Sequence, residues 1–237
     1  MTHQYKSTAE SDWRKKIIEE NTATRLSLIP HKKFERILDL GCSDGVLSKR
    51  IQEMTKSPLV GVDNYAGRYE LAKQKGIEVV DADLNQKLPF DDNSFDLVFA
   101  GELIEHVLSP DELLQEVQRV LKPNGLFVLT TPNLAAWHNR LLLLFGLMPY
   151  GPEVSTKNAQ IGLGPLVRIK NPEPAGHIRV FTLRALKDML TMYGFSIDAV
   201  KGCPTDYFPY PFRYVEKLIA LVPSLASGLV VRTISKK

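Results

Sequence analysis

Residues 36–63 read RILDLGCSDGVLSKRIQEMTKSPLVGVD, and the reading of this stretch decides the fold. The apolar run Ile37-Leu38-Asp39-Leu40 predicts a strand buried on both faces. It ends in Gly41-Cys42-Ser43-Asp44-Gly45, and helical spacing follows at once through Val46, Leu47, Arg50, Ile51 and Met54. A second apolar run, Leu59-Val60-Gly61-Val62, stops on Asp63. The pattern is a βαβ unit with a glycine-bearing first turn and an acid at the tip of its second strand. That acid stands 22 positions after Gly41, about the separation at which a carboxylate meets ribose hydroxyls. The turn reads Gly-x-x-x-Gly and lacks the Gly-x-Gly-x-x-Gly spacing of nicotinamide and flavin sites.

Working outward, the alternation continues. Tyr65–Gly76 predicts a short helix closed by glycine, and Ile77–Leu84 a third strand with an acidic tip at Asp81 and Asp83. Residues 88–94 predict a turn, and Phe95–Ala100 a fourth buried strand. Ser109-Pro110-Asp111-Glu112 is a capping box with proline at the first helical position, opening a helix to Leu121. Lys122–Gly125 predicts a turn into a fifth strand, Leu126–Thr131. After an irregular stretch the rhythm resumes with a helix at Leu183–Tyr193, a strand at Phe195–Val200 and a last strand at Leu229–Ile234. Upstream, Ser11–Leu28 has helical spacing with Trp13, Ile17, Ile18, Leu26 and Leu28 near one face, and Pro30 ends it. The His31-Lys32-Lys33 linker reads as a solvated connection.

The expected architecture is α/β, a Rossmann-like doubly wound and mostly parallel sheet of seven strands with an inserted cap. Residues 1–237 form one domain: an N-terminal helix in 1–34, a cofactor-binding core in 36–131, and a lid or substrate insert in 132–176. Residues 177–237 complete it, with a second insert at 204–226. The first insert holds a very apolar patch, Leu141–Met148. Connections of this length are commonly functional lids.

Composition narrows the function classes. With 44% apolar and 24% charged residues, the chain has the make-up of a globular protein with a full core. A net charge of +3, without a basic cluster interleaved with aromatics, argues against nucleic acid. Cys42 and Cys203 lie far apart without ligand spacing, as reduced intracellular thiols do. The opening residues lack an apolar signal core, and the apolar stretches are too short for a membrane span; a cytoplasmic protein is expected, with peripheral membrane contact left open.

Asp39 stands two residues before Gly41 and is expected to point toward the same mouth. It would repel a pyrophosphate and suit a ligand carrying positive charge. Acids at strand ends (Asp39, Asp63, Asp83, then Glu102) suit a ligand with ammonium, ribose and adenine groups. Here the chain resembles the class I S-adenosylmethionine-dependent methyltransferases, and it is similar in particular to the quinone-biosynthesis O-methyltransferases. The resemblance rests on LDLGCSDG (38–45), VGVD (60–63), DADL (81–84), LPFDDNSFDLVFAGELIEHV (88–107) and RVLKPNGLFVLTTPN (119–133). Ser43 stands where that family usually has a third glycine. By position, the resemblance implies S-adenosylmethionine as cofactor. Asp39 and Gly41 would lie near its methionine end, Ser43 and Gly45 in the loop, and Asp63 and Asn64 at the ribose. Asp83 and the Leu84 backbone would meet the adenine, and Gly101 and Glu102 the sulfonium end.

Methyl transfer from a sulfonium needs an aligned nucleophile, and a hydroxyl nucleophile also needs its proton removed or acidified. The string Glu102-Leu103-Ile104-Glu105-His106 places Glu102 and His106 at helical i, i+4 spacing. In the quinone-biosynthesis and small-RNA O-methyltransferases that the chain resembles, E-x-x-E-H carries a divalent metal. Glu102, Glu105 and His106 are therefore candidate ligands for Mg²⁺, and His106 and His177 candidate bases. The competing reading has Glu102 facing the cofactor and His106 packing. The Leu141–Met148 patch and the alternating aromatics Tyr207, Phe208, Tyr210, Phe212 and Tyr214 suit an acceptor with an apolar part, lipid- or quinone-like, or else simple cap packing. The expected function is O-methylation of a small organic acceptor. The alternatives are carbon or nitrogen methylation, or a non-catalytic subunit that binds S-adenosylmethionine.

Overall fold

The computed structural model describes residues 16–164, 172–205 and 212–237. Seven strands form one sheet in the order β3-β2-β1-β4-β5-β7-β6. Its first four in sequence are β1 (Ile37–Leu40), β2 (Leu59–Asp63), β3 (Glu78–Asp81) and β4 (Phe95–Gly101). The others are β5 (Leu121–Pro132), β6 (Phe195–Cys203) and β7 (Gly228–Ser235). β7 runs antiparallel to both β5 and β6, and the other pairings are parallel. The chain leaves β1 toward β2 and β3 on one side and resumes with β4 on the other. Between β1 and β4 lies the switch point at which ligands of open α/β sheets bind.

Among the described residues, seven helices cover the faces: α1 (residues 16–26), α2 (Val46–Thr55), α3 (Ala66–Gln74), α4 (Pro110–Val120), α5 (Trp137–Leu144), α6 (Leu183–Met192) and α7 (Phe212–Ile219). Strand alternation sorts the core onto two sides. Leu38, Leu40, Val98 and Phe127 pack with Leu113, Leu114 and Val117 of α4 and Leu186 and Leu190 of α6. Ile37, Leu97, Phe99 and Val128 pack on the other face with Leu26, Ile29, Ile51 and Ala72. Each such fully buried aliphatic side chain contributes about 1.5–3 kcal/mol. The capping box forms as its residues predict: Ser109 Oγ accepts from the Glu112 N–H at 3.2 Å, with Pro110 in the first turn.

Several local readings change. β5 begins at Leu121, with residues 122–125 bulging from it, since Phe95 pairs with Leu121 but Leu97 with Leu126. Asn124 takes φ 60 within that bulge, a value asparagine tolerates better than most residues. The inserts are not wholly irregular, because they contain α5 and α7. Of the apolar patch, Leu141, Leu143, Leu144 and Phe145 are exposed, while Met148 and Leu147 pack over Gly162 and Gly164. In α1, Ile17 and Leu26 are buried but Ile18 is exposed; Trp13 lies outside the described residues. Tyr207, Phe208 and Tyr210 also lie outside them, and Tyr214 is exposed. No helix among the described residues is long and apolar enough to cross a membrane.

Candidate active site

The loops that leave the C-terminal ends of β1, β2, β3 and β4 meet at the switch point. The first turn is held by the Gly41 and Cys42 N–H groups, which donate to the Val62 carbonyl at 2.8 and 3.1 Å. Gly41, Ser43 and Gly45 all take positive φ (72°, 48° and 75°), so the loop follows a glycine path even where serine replaces glycine. Gly45 has the stricter requirement. A Cβ there would stand 2.7 Å from Ala72 Cβ and 2.8 Å from Ala72 Cα, where α3 backs the loop. Gly45→Ala is therefore expected to destabilise the protein by about 2 kcal/mol through strain and overpacking. Urea denaturation checks this; an unchanged midpoint would show that the loop relaxes freely.

Asp63 ties two loops together. Its Oδ2 accepts from Ser43 N–H and its Oδ1 from Tyr65 N–H, each at 2.9 Å. The side chain remains half-exposed, and Asn64 beside it is exposed. Asp83 is exposed, and its Oδ1 accepts from the backbone and side-chain N–H groups of Asn85 at 2.9 Å, which hold its carboxyl below the usual range. Asn85 in turn accepts from Leu108 N–H at 2.8 Å, linking the loops after β3 and β4, with Leu84 half-buried between.

Asp39, expected to point toward the mouth, is buried. Its Oδ2 accepts from Ser48 Oγ at 2.5 Å. Burial pushes its carboxyl up to about 7; the Ser48 hydrogen bond opposes this and repulsion from Asp63 adds to it. Burial, with Asp39 and Asp63 nearby, pushes the Cys42 thiol up to about 12, so Cys42 is a packed thiol and not a nucleophile.

After Gly101 the chain turns sharply. Glu102 takes φ 50, an uncommon value for a residue with a Cβ. Its N–H donates to the Thr130 carbonyl at 3.0 Å, its Oε1 accepts from Thr130 Oγ1 at 2.7 Å, and its Oε2 lies 3.9 Å from Arg25 of α1. Residues 102–106 form a turn and not a helix, because α4 starts only at its Ser109 cap. The i, i+4 reading of Glu102 and His106 is thus corrected, and the predicted ligand set separates. Ligand atoms of Glu105, His106 and His177 lie within 4.8 Å of one another, and Glu102 is not among them.

Hydrogen bonds within the fold orient each member of that trio. His106 Nδ1 lies 3.1 Å from the Gly176 carbonyl and His177 Nδ1 3.0 Å from the Gly151 carbonyl. A carbonyl only accepts, so both rings carry their proton on Nδ1 and present a basic Nε2. Burial, the largest influence, lowers the His106 pKa and favours the neutral ring. Glu105 is fully buried; its Oε2 accepts from Thr131 Oγ1 at 2.9 Å, while Oε1 has no hydrogen-bond partner among the described residues. That oxygen lies 4.0 Å from His106 Nε2. Burial first, then repulsion from Glu102, pushes the Glu105 carboxyl up to about 8.

Beside the strand-end loops opens a cavity of about 580 Å³. α1 supplies Asn21 and Arg25 to its wall, β4 leads to Glu102, and the cap supplies Tyr150 and Leu163; His177 also faces it. The exposed leucines of α5 do not line it. Sequence reasoning missed His138 in this wall, because a histidine in an aperiodic insert carries no spacing signal. It also missed Glu216, a fully buried acid of α7 in the stretch read as the second insert.

The fold and this arrangement of loops define an S-adenosylmethionine-dependent methyltransferase domain of class I. Residues 10–200 match the methyltransferase domain family, and the chain belongs to that family. The ubiquinone biosynthesis O-methyltransferase of Chelativorans sp. is 32% identical over 145 residues, covering 57% of this chain and 54% of that protein. The sterol 24-C-methyltransferase of Schizosaccharomyces pombe is 35% identical over 106 residues, 40% of this chain and 27% of that protein. The aligned regions span about half or less of these relatives' lengths. Among solved structures, a Thermotoga maritima protein described as a possible histamine N-methyltransferase superposes with a TM-score of 0.62 at 18% identity, covering 92% of this chain and 87% of that one, a likeness of fold.

Proposed function

We propose that the protein transfers the methyl group of S-adenosylmethionine to an oxygen of a small organic acceptor with an apolar part. The observation that carries this reading is the cavity that adjoins the strand-end loops at Glu102, with the Glu105–His106–His177 cluster at its edge. Asp63 and Asn64 would hold the ribose, Asp83 and the Leu84 backbone the adenine, and Asp39, Gly41, Ser43 and Gly45 the methionine end. Gly101 and Glu102 would flank the sulfonium, and the acceptor would fill the cavity. A 580 Å³ space walled by Tyr150, Leu163 and Pro149 suits a molecule with an apolar body, quinone- or lipid-like.

The trio also fits a divalent cation, on the grounds of an orphaned buried carboxylate oxygen and two imidazoles whose Nδ1 protons are already placed. Two nitrogens and one carboxylate suit Mn²⁺ or a similar first-row ion better than Mg²⁺, which prefers oxygen. Such an ion supplies Lewis acidity to a hydroxyl. Carbon or nitrogen methylation is the second reading, favoured by kinship with sterol C-methyltransferases, and needs no cation.

The test is calorimetric titration with S-adenosylhomocysteine. Asp63→Ala is expected to weaken binding about 30-fold, from the loss of hydrogen bonds between a carboxylate and hydroxyls. Unchanged affinity would sink the cofactor assignment. Turnover of hydroxylated aromatics that is indifferent to chelators would favour a cation-free reaction.

A further inference from the structure

The outward faces of α5 and α7 are strongly apolar. On α5, Leu141, Leu143, Leu144 and Phe145 are exposed, with Leu144 at 76% and Phe145 at 75% of full accessibility. On α7, Tyr214, Val215 and Leu218 are exposed, and the same face continues through the following turn to Leu221, at 77%, and Val222. Leu221 and Val222 N–H donate to the Leu218 and Ile219 carbonyls at 3.2 and 2.9 Å, which keeps the helical path. Spacing of i, i+1, i+4, i+7 and i+8 holds these five side chains on one side, while Glu216 and Ala220 turn inward and are buried. Apolar side chains scattered singly over a surface are ordinary, but a contiguous run of them marks an interaction site.

The two faces belong to one wall. At the start of α5, Trp137 donates its backbone N–H to the Leu225 carbonyl at 2.9 Å and its ring N–H to Glu216 of α7 at 2.5 Å. Arg140 is exposed and donates to the Ser224 carbonyl at 3.2 Å, so its guanidinium stands where the two apolar faces meet. On the inner side, Asn139 of α5, and Thr205 and Ser227 flanking α7 in sequence, border the cavity. Charge decides what the outer side faces. From 134 to 152 and from 212 to 225 the only acid is Glu216, and it is buried. Arg140 bonds to the carbonyls of Ala135 and Ser224 and forms no ion pair among the described residues, which leaves its charge for an external anion. A second copy seated here would present the same apolar and basic surface, because a two-fold interface pairs a patch with itself. An anionic bilayer complements the wall on both counts, with acyl chains for the leucines and headgroups for the arginine.

We propose that the outer faces of α5 and α7 dock on an anionic phospholipid surface, and that the acceptor is a bilayer-soluble hydroxyl compound drawn from it into the adjoining cavity. The second clause rests on the O-methylation reading above; the docking stands on the surface alone. α5 and α7 are far too short to span a bilayer, and their apolar faces suit the boundary between headgroups and acyl chains. Docking there sets the cavity beside the phase in which a quinone- or lipid-like acceptor concentrates, and spares its apolar body a passage through water.

The test is co-sedimentation of the full chain with vesicles of phosphatidylcholine and phosphatidylglycerol, and with vesicles of phosphatidylcholine alone. Wild type is expected to bind the anionic vesicles, and to bind them less as salt is raised. The paired changes Leu144→Ser with Phe145→Ser, and Leu218→Ser with Leu221→Ser, each weaken binding by about tenfold or more. Arg140→Gln weakens it by about fivefold on anionic vesicles and leaves the neutral ones unaffected. Leu71→Ser, on α3 at the opposite edge of the sheet, changes nothing. Thermal denaturation and S-adenosylhomocysteine titration of the same samples separate loss of docking from loss of fold or cofactor site. Wild type that stays in the supernatant, or paired variants that sediment as wild type does, overturns the proposal. So does a wild-type dimer in analytical ultracentrifugation that the same changes render monomeric without altering vesicle binding. For the acceptor, methylation of a long-chain alkylphenol embedded in vesicles falls with docking while that of soluble phenol does not; equal turnover of the embedded substrate by the paired variants overturns that clause. Failure of the wild type to bind S-adenosylhomocysteine sinks the methyltransferase reading instead, and sedimentation still decides the docking.

Discussion

Asp39→Asn is expected to gain roughly 3 kcal/mol of stability relative to wild type as pH rises from 4.5 to 8. The folded protein holds the Asp39 proton up to about pH 7, because its carboxyl is buried with Ser48 as hydrogen-bond partner and Asp63 nearby. The unfolded chain releases that proton near the ordinary carboxyl value of 3.8. Between these values the unfolded state binds fewer protons than the folded one, so this group's contribution to stability falls as pH rises, by about 1.4 kcal/mol per unit. The contribution is complete below the unfolded value and gone above about 7. Asparagine has no proton to lose, so the difference between variant and wild type isolates this residue from carboxyls such as Asp83, whose shift has the opposite sign. Urea denaturation at both pH values measures it, and a difference independent of pH would mean that Asp39 is ionised throughout.

The cofactor reading adds a second arm to the same experiment. A ligand ammonium beside Asp39 favours the charged carboxylate. At pH 8, S-adenosylhomocysteine should then stabilise wild type more than Asp39→Asn. Equal stabilisation would place the ligand's charge elsewhere. A residue that costs folding stability at the pH where it binds best is the kind of local compromise that ligand sites carry.

What was legible in the sequence follows from the range of the signals. Strands buried on both faces read as unbroken apolar runs, so β1, β2, β4 and the second half of β5 stand out, and Gly41, Gly45 and Asp63 mark their loops by fixed spacing. The Glu-x-x-Glu-His string was visible, but its geometry was not. Helical spacing assumes helical φ, and Glu102 at φ 50 breaks the helix before it can form. His177 joins Glu105 through the backbone, since Ile178 and Arg179 N–H donate to the Glu105 carbonyl at 2.8 and 3.2 Å. No pattern in the sequence announces that pairing across seventy residues. The apolar patch at 141–148 left two readings open for a related reason: composition shows that leucines are present, and only the fold decides which of them face solvent.

The proposed cation site gives a sharp choice between the set that spacing suggests and the set that the fold brings together. Glu105→Gln is expected to weaken Mn²⁺ binding at least 100-fold, since it removes the one carboxylate of the trio. Glu102→Gln should leave it within a few-fold, because both Glu102 oxygens are turned away, one to Thr130 and one toward Arg25. His177→Ala should match Glu105→Gln, although His177 lies outside the Glu-x-x-Glu-His string. The free-ion electron paramagnetic resonance signal of Mn²⁺ reports binding directly and needs no acceptor. Glu105→Gln keeps the size of the side chain and its acceptor toward Thr131, so loss of binding without loss of fold is the expected pairing, checked by thermal denaturation of the same samples. If Glu102→Gln were the damaging change and His177→Ala harmless, the turn at 102–106 would have to rewind toward a helix around the ion. If no variant mattered because the wild type ignores Mn²⁺, the Glu105 oxygen that has no partner among the described residues would be a protonated donor and not a ligand.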